Sequence, residues 1–419
     1  MKIRFLSLTC ALLALSACGV DETGTPPPND AFWFPLGVAA HPDGRYLYVT
    51  NAVYDRRYNA GTVAMYDTFE RRIVPEATVR IGLFAGELAV GRTAADAPLH
   101  AYTVSRNDNA LIRMTLDPTA SQPISCDQKG RTCAGSSVFE DFGDDGAFAA
   151  DPYGIALDGD GLYLTHVGRG VVSRWDEAGA GSQSALGYGC ALGLELGATA
   201  VARHPATGQS YVSDRFGERI AILERVAPFG QTVAGVAGDP CELRPVGAIA
   251  VDPSSERGRT RGLAFSADGS LLYAASSTDA SLRIYDTTVG PGGARNRLLA
   301  AIPLGGTPDL VRVAGLRSGE VRPSDGLDRG PVGAQVDQTG GGLIYVTLFE
   351  EDRVVVISPE TFSVVAQIDV KGGPHDLAFL PDGAGALRAY VTLFEAHRLA
   401  VLDVQPGSSR RFSLLATVP

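Results

Sequence analysis

The chain has 419 residues, 45% hydrophobic and 20% charged, which is the composition of a folded globular protein and excludes wholesale disorder. Glycine is abundant, at 50 residues, and fits many turns better than long helices. A net charge of −11 argues against generic nucleic-acid binding, because that affinity rests on neutralising phosphates.

Met1-Lys2-Ile3-Arg4 is a short basic segment, followed by an apolar stretch from Phe5 to Leu15. The stretch falls short of the roughly 20 residues that span a bilayer and has the flanks of a secretory signal. Leu15-Ser16-Ala17-Cys18 resembles the bacterial lipobox, in which the cysteine becomes the lipidated first residue of the mature chain. The resemblance implies a signal peptide over residues 1–17, lipidation at Cys18, and anchoring to a membrane through acyl chains. Losing Lys2 and Arg4 takes the charge to −13. Gly19 stands where an Asp would retain the protein at the inner membrane by enterobacterial sorting rules, so the outer membrane of a Gram-negative bacterium is implied. Residues 18–30 read as a tether: they lack apolar periodicity and contain Pro26-Pro27-Pro28, which favours an extended chain.

Cysteine usage agrees with export. Cys10 leaves with the signal, and Cys126, Cys133, Cys190 and Cys241 remain as an even set. Two disulfides are expected, with three connectivities open. Pairing Cys126 with Cys133 closes a polar eight-residue stretch and leaves Cys190 with Cys241. The spacing is not that of a zinc site, since no Cys-x-x-Cys occurs.

From residue 31 to 419 one pattern recurs. Tyr48-Val49-Thr50-Asn51 has looser copies at Tyr102, Tyr163, Tyr211 and Tyr273, and Tyr345 to Glu350 is repeated letter for letter at Tyr390 to Glu395. The tyrosines stand 54, 61, 48, 62, 72 and 45 residues apart, and the shortest intervals are blade-length for a propeller. A short apolar strand precedes each tyrosine: Gly37–Ala40, Glu87–Val90, Gly154–Leu157, Thr199–Ala202, Gly262–Phe265, Gly333–Val336 and Asp376–Phe379. Asp-Gly turns such as Asp43-Gly44 and Asp268-Gly269 supply the positive φ of a tight hairpin. A β-branched third strand and a fourth strand complete each unit. The pattern predicts an all-β fold, a seven-bladed β-propeller of four-stranded antiparallel blades. Phe32-Trp33-Phe34 is expected over the seam between the first and last blades. The Val289 to Pro331 stretch reads as long inserts in blades five and six, the contact surface expected if the chain is a subunit of a larger envelope complex.

Within His41-Pro42-Asp43-Gly44-Arg45-Tyr46-Leu47-Tyr48-Val49-Thr50-Asn51, the sequence resembles the YVTN family of propeller repeats. The resemblance covers Leu36 to the C-terminus and implies an extracytoplasmic propeller. Gly373-Pro374-His375-Asp376-Leu377-Ala378-Phe379 also resembles the blade motif of lactonase-type propellers. That second resemblance implies a catalytic His375 with an acid and an arginine nearby, which blade geometry places at Glu87 and Arg261.

In such a fold, the loops leading into the inner strands and those joining strands two and three share one face. Ligand-binding candidates on it are His166, Arg169, Asp214, Arg215, Glu350, Asp376 and Glu395, a mixture of both charges suited to a small polar molecule, a glycan or a protein. The acidic run Glu140, Asp141, Asp144 and Asp145 is a weak candidate for a structural Ca²⁺, with spacing unlike an EF-hand. No other metal and no organic cofactor is expected. The leading functional expectation is a lipid-anchored binding module, with lactone hydrolysis and a structural subunit of an envelope complex as the alternatives.

Overall fold

The computed structural model describes residues 24–92, 98–126, 131–139, 151–159, 161–178, 185–194, 197–217, 219–226, 242–251, 259–313 and 342–419. Each repeated tyrosine lies on the second strand of an antiparallel sheet, and seven such sheets form a seven-bladed β-propeller. In blade one the strands are Pro35–Ala40, Tyr46–Asn51, Gly61–Asp67 and Arg72–Ile81. Blade seven consists of Pro374–Pro381, Leu387–Leu393, Arg398–Asp403 and Ser413–Val418. Among the described residues the only helix is a single 3-10 turn, Gly135–Ser137. The expected signal peptide, Cys18 and the acidic run from Glu140 to Asp145 lie outside the described residues.

The Tyr-Val-Thr motif has a physical reason. The start of each inner strand carries a bulge, in blade one between Pro35 and Val38, where two residues oppose Thr50. A bulge frees a backbone amide that must find a partner. Gly37 N donates to Thr50 Oγ1 at 2.8 Å, and the same hydroxyl donates to Gly86 O of blade two at 3.1 Å. Thr165 repeats the device, accepting from Gly154 N and donating to Thr199 O of blade four. Thr347 does so between Leu310 N and His375 O. One threonine therefore satisfies its own bulge and staples the next blade. The tyrosine two residues earlier is buried against that next blade; Tyr48, Tyr102 and Tyr211 are each fully covered.

Ring closure uses the same contact. Thr392 accepts from Asp376 N at 2.8 Å and donates to Leu36 O at 2.9 Å, 356 residues away in sequence. The aromatic triplet closes over this seam. Phe32 is buried beside Tyr66, Trp33 stacks on His397 with ring centroids 4.2 Å apart, and Phe34 N donates to His397 Nδ1. His397 thus has a structural task. His41 and His204 fold into turns on the opposite face, where each accepts a backbone amide. The end of the expected tether is docked: Asn59 N donates to Thr25 O, and Thr78 Oγ1 to Asn29 O.

Two expectations are corrected. Blade six takes Pro308–Val313 as its inner strand, paired with Ile344–Leu348. Gly333–Val336 lies outside the described residues, within the long connection joining those two strands. That connection sits inside a hairpin and not ahead of it, which displaced the sequence alignment. The Val289 to Pro331 stretch accordingly contains the outer strand of blade five, Arg297–Pro303, as well as this inner strand. In blade two the outer strand is split into Ile124–Ser125 and Val138–Phe139, both paired with Ala110–Leu116. Between these pieces Cys126 and Cys133 form a disulfide, and Cys133 N donates to Arg80 O of blade one. Cys190 lies on Ala185–Gly193, and its expected partner Cys241 is outside the described residues.

Candidate functional site at the channel mouth

The seven inner strands can be aligned through their pairing with the tyrosines. The residue opposite each tyrosine is Ala39, Ala89, Ala156, Ala202, Ala264 and Ala378 in six blades. In blade six it is Arg312, opposite Tyr345. Six small side chains suit strands crowded around the propeller axis, and the seventh place holds the longest cation available. Arg312 Nε lies 3.0 Å from Asp376 Oδ1 of blade seven. Asp376 is 1% exposed, and its Oδ2 accepts Val38 N of blade one at 3.3 Å.

Glu87, on the inner strand of blade two, occupies the place that Asp376 has in blade seven. Its carboxylate likewise accepts a backbone amide of the following blade, from Ile155. Burial pushes its pKa up to about 7, outweighing the opposing pull of Arg312, while the nearby charges of Asp376 and Asp309 raise it further. The Arg312 guanidinium is held fully charged: Asp376 and Glu87 push its pKa up against the opposing effect of burial. With Glu87 protonated, the carboxylates Asp309 and Asp376 are balanced by Arg261 and Arg312. Ionising Glu87 leaves an uncompensated negative charge at the mouth.

A second chain of contacts runs beside the first. Arg261 donates to Asp309 Oδ1 at 3.1 Å, and His375 Nε2 lies 3.5 Å from Asp309 Oδ2. Tyr153 Oη is 3.3 Å from the same imidazole nitrogen. His375 Nδ1 is buried and has no hydrogen-bond partner among the described residues. Placing the proton on Nε2, toward Asp309, leaves the Nδ1 lone pair as the acceptor. Burial, together with the charges of Asp309 and Glu87, holds the Tyr153 phenol well above its ordinary pKa, so it stays neutral. Arg106 lies over the Tyr153 ring and makes a two-pronged contact with Asp151, at 2.5 and 2.9 Å.

The structure brings His375 and Arg261 together on one carboxylate and sets Glu87 in the adjoining cluster with Arg312 and Asp376. The remaining candidates stay apart from this centre. His166 is wholly buried with Nε2 on Ser173 Oγ at 2.8 Å, so it belongs to the interior of blade three and not to the rim. Asp214 closes its own turn by accepting Phe216 N and Gly217 N, both at 2.8 Å. Arg215 lies over the Phe216 ring, and Arg169, Glu350 and Glu395 are exposed at the rim. Their loops are longer and more polar than the inner strands, which is why sequence reading favoured them. Arg312 and Asp309 were missed. Gly305-Gly306-Thr307-Pro308-Asp309-Leu310 parallels Gly372-Gly373-Pro374-His375-Asp376-Leu377, and that parallel locates the sixth inner strand. A separate cleft of about 450 Å³, bounded by Pro26 to Pro28, Arg80 and Arg131, lies at the edge of blades one and two, away from the axis.

No protein-family model matches the chain, and no curated protein matches it in sequence. Solved structures do match in fold. The hydrazine synthase of Kuenenia stuttgartiensis superposes with a TM-score of 0.57 at 12% identity, over 94% of this chain and 100% of that one. The periplasmic gluconolactonase of Pseudomonas aeruginosa gives 0.56 at 15% identity, over 86% and 88%. The Cps50 propeller domain of Myceliophteria thermophila gives 0.55 at 11% identity, over 91% and 100%. Proteins with such different names share this architecture, so the likeness is one of fold alone.

Proposed function

We propose that the chain is an exported YVTN-type propeller, anchored through lipid at Cys18, that binds a small polar ligand at the channel mouth around Arg312. Arg312 carries this reading. A lone arginine in a column of alanines gives the narrowest part of the ring a cation that the repeat does not require. At this level the neighbouring strands present only the small side chains of Ala264 and Ala378, and the Asp376 and Glu87 carboxyls offer acceptors for hydroxyls. A thermal-shift panel of aldonic acids, aldonolactones, neutral sugars and Ca²⁺ tests it, because a ligand that binds only the folded state raises Tm. A ligand should raise Tm in the mature protein and lose that effect in Arg312→Met. An equal shift in both proteins would move the site elsewhere.

Lactone hydrolysis is the second reading, favoured by the presence in adjoining clusters of a near-neutral carboxyl, Glu87, and of His375, whose buried Nδ1 has no hydrogen-bond partner among the described residues. In that chemistry His375 accepts a proton from water as the water oxygen adds to the lactone carbonyl. Arg261 or Arg312 stabilises the resulting oxyanion, and collapse breaks the ring C–O bond. Glu87 in its protonated form delivers the proton to the departing alkoxide, giving the hydroxy acid. Turnover of aldonolactones that disappears in both His375→Ala and Glu87→Gln supports hydrolysis. Binding without turnover leaves the module as a binder only.

A further inference from the structure

The top face carries a second feature that neither reading uses. Partly exposed rings form a continuous arc beside the channel mouth. Phe349 of blade six packs on Phe394 of blade seven, which packs on Phe34 and Tyr54; Tyr54 continues to Phe84 of blade two, and Trp33 extends the arc to Tyr58. Tyr54 is 39% exposed despite its size. Exposed Arg56 and Arg57 lie over Phe84 and Trp33, their centres 5.1 and 5.2 Å from the ring centroids. Phe34 and Phe84 both have positive φ, 53° and 56°, immediately before an inner strand. Blade seven places Gly373, at φ 68°, in that position. Glycine is the unstrained choice there, and two blades hold phenylalanine against that preference.

The chain enters the body at this same face. Thr25 O accepts Asn59 N, in the loop joining strands two and three of blade one, and Gly24 lies against the Asn59 side chain. Gly24 is six positions on from Cys18, a reach of about 20 Å when fully extended. A lipid on Cys18 therefore keeps the rim of blade one, with the aromatic arc, next to the bilayer. Tryptophan, tyrosine and arginine are the side chains that settle at a membrane–water interface, with rings at headgroup level and cations on lipid phosphates. Both Trp33 faces are already covered, by His397 on stacking and by Arg57, which disfavours the arc as a sugar-stacking platform.

We infer that the aromatic arc around Trp33 and Tyr54, with Arg56 and Arg57, docks the propeller onto the lipid surface that anchors it. The inference rests on the lipid anchoring proposed above. It turns the channel mouth toward the bilayer, so the ligand is taken from the thin water layer beside the membrane.

Tryptophan content makes the test direct, since Trp33 lies on the arc and Trp175, the other of the two, is buried in blade three at 1% exposure. The lipidated protein is reconstituted into phosphatidylethanolamine–phosphatidylglycerol vesicles whose acyl chains are either brominated or plain. Docking predicts a loss of emission in the brominated vesicles that vanishes in Trp33→Phe. The Arg56→Glu/Arg57→Glu variant should reduce the quenching while flotation with vesicles is unchanged, and its denaturation curve reports whether it remains folded. Protein that floats with unquenched Trp33 overturns docking and leaves the anchor intact. Protein that does not float overturns the anchoring on which docking depends. A shift of Trp33 emission by oligosaccharides, without bromine quenching, assigns the arc to a glycan and also overturns docking.

Discussion

The junction between blades seven and one and the junction between blades two and three do the same mechanical task with different chemistry. At the first, Thr392 bonds Asp376 N and Leu36 O, and His397 and the aromatic triplet close over the top. At the second, Val104 stands where the stapling hydroxyl would be, and charges take over: Arg106 on Asp151, and Glu87 on the Ile155 amide. A neutral hydroxyl holds a blade at any pH. A buried carboxyl holds it only while its ionisation is compensated, and Glu87 titrates near neutrality. Both junctions thus set a buried carboxyl on an amide of the next blade, Asp376 on Val38 and Glu87 on Ile155, but only the first adds the stapling hydroxyl, and Glu87 is the carboxyl that burial carries to near neutrality.

The largest test of this contrast is Thr392→Val, which keeps the shape of the side chain but strands a buried amide and removes the hydrogen bond to Leu36 O. A loss of about 3 kcal/mol in denaturant unfolding is expected. A loss below about 1 kcal/mol would mean that the apolar seam closes the ring without the hydroxyl.

Next in size is the pH response of Glu87. In the unfolded chain its carboxyl ionises near 4.5, and in the fold near 7. Below pH 4.5 both states carry the proton and the fold is not penalised. As pH rises through 4.5 to 7 the unfolded state ionises first, so stability is lost across that window, by roughly 3 kcal/mol in total and somewhat less between pH 5 and pH 8. Glu87→Gln should remove this component, leaving a smaller drop in Tm between pH 5 and pH 8 than the natural chain shows. Parallel Tm profiles for the two proteins would contradict the assigned burial.

His397→Ala removes the acceptor for Phe34 N and the ring stacked on Trp33. A cost of about 1–2 kcal/mol is expected, with a red shift of Trp33 emission as the indole gains water. The smallest effect is a gain. Val104→Thr restores the missing hydroxyl at the second junction and should stabilise the protein by about 0.5 kcal/mol. Destabilisation by more than about 1 kcal/mol would show that the blade-two bulge has no amide free to receive it.

The tyrosine spacing, the Asp-Gly turns and the small inner-strand residues made the seven-bladed fold legible, because period and turn chemistry are local properties. His375, Asp376 and Glu87 were legible for the same reason, as chemical side chains at the start of a recognisable strand. Arg312 was not, since its strand precedes a long connection and its distinction appears only when seven strands are set in register. The Asp309 bridge between Arg261 and His375 was equally hidden: its two partners are 48 residues before it and 66 after it in sequence.

By itself the sequence determined a repeat that must close on itself, because each blade presents a tyrosine, and most a hydroxyl two residues on, that a following blade covers. Tertiary structure alone decided which side chains meet at the axis, which of them are buried deeply enough to change ionisation, and which face receives the N-terminal chain. Those outcomes depend on distances across the ring, where charges interact through a low-dielectric interior, and no linear spacing encodes them.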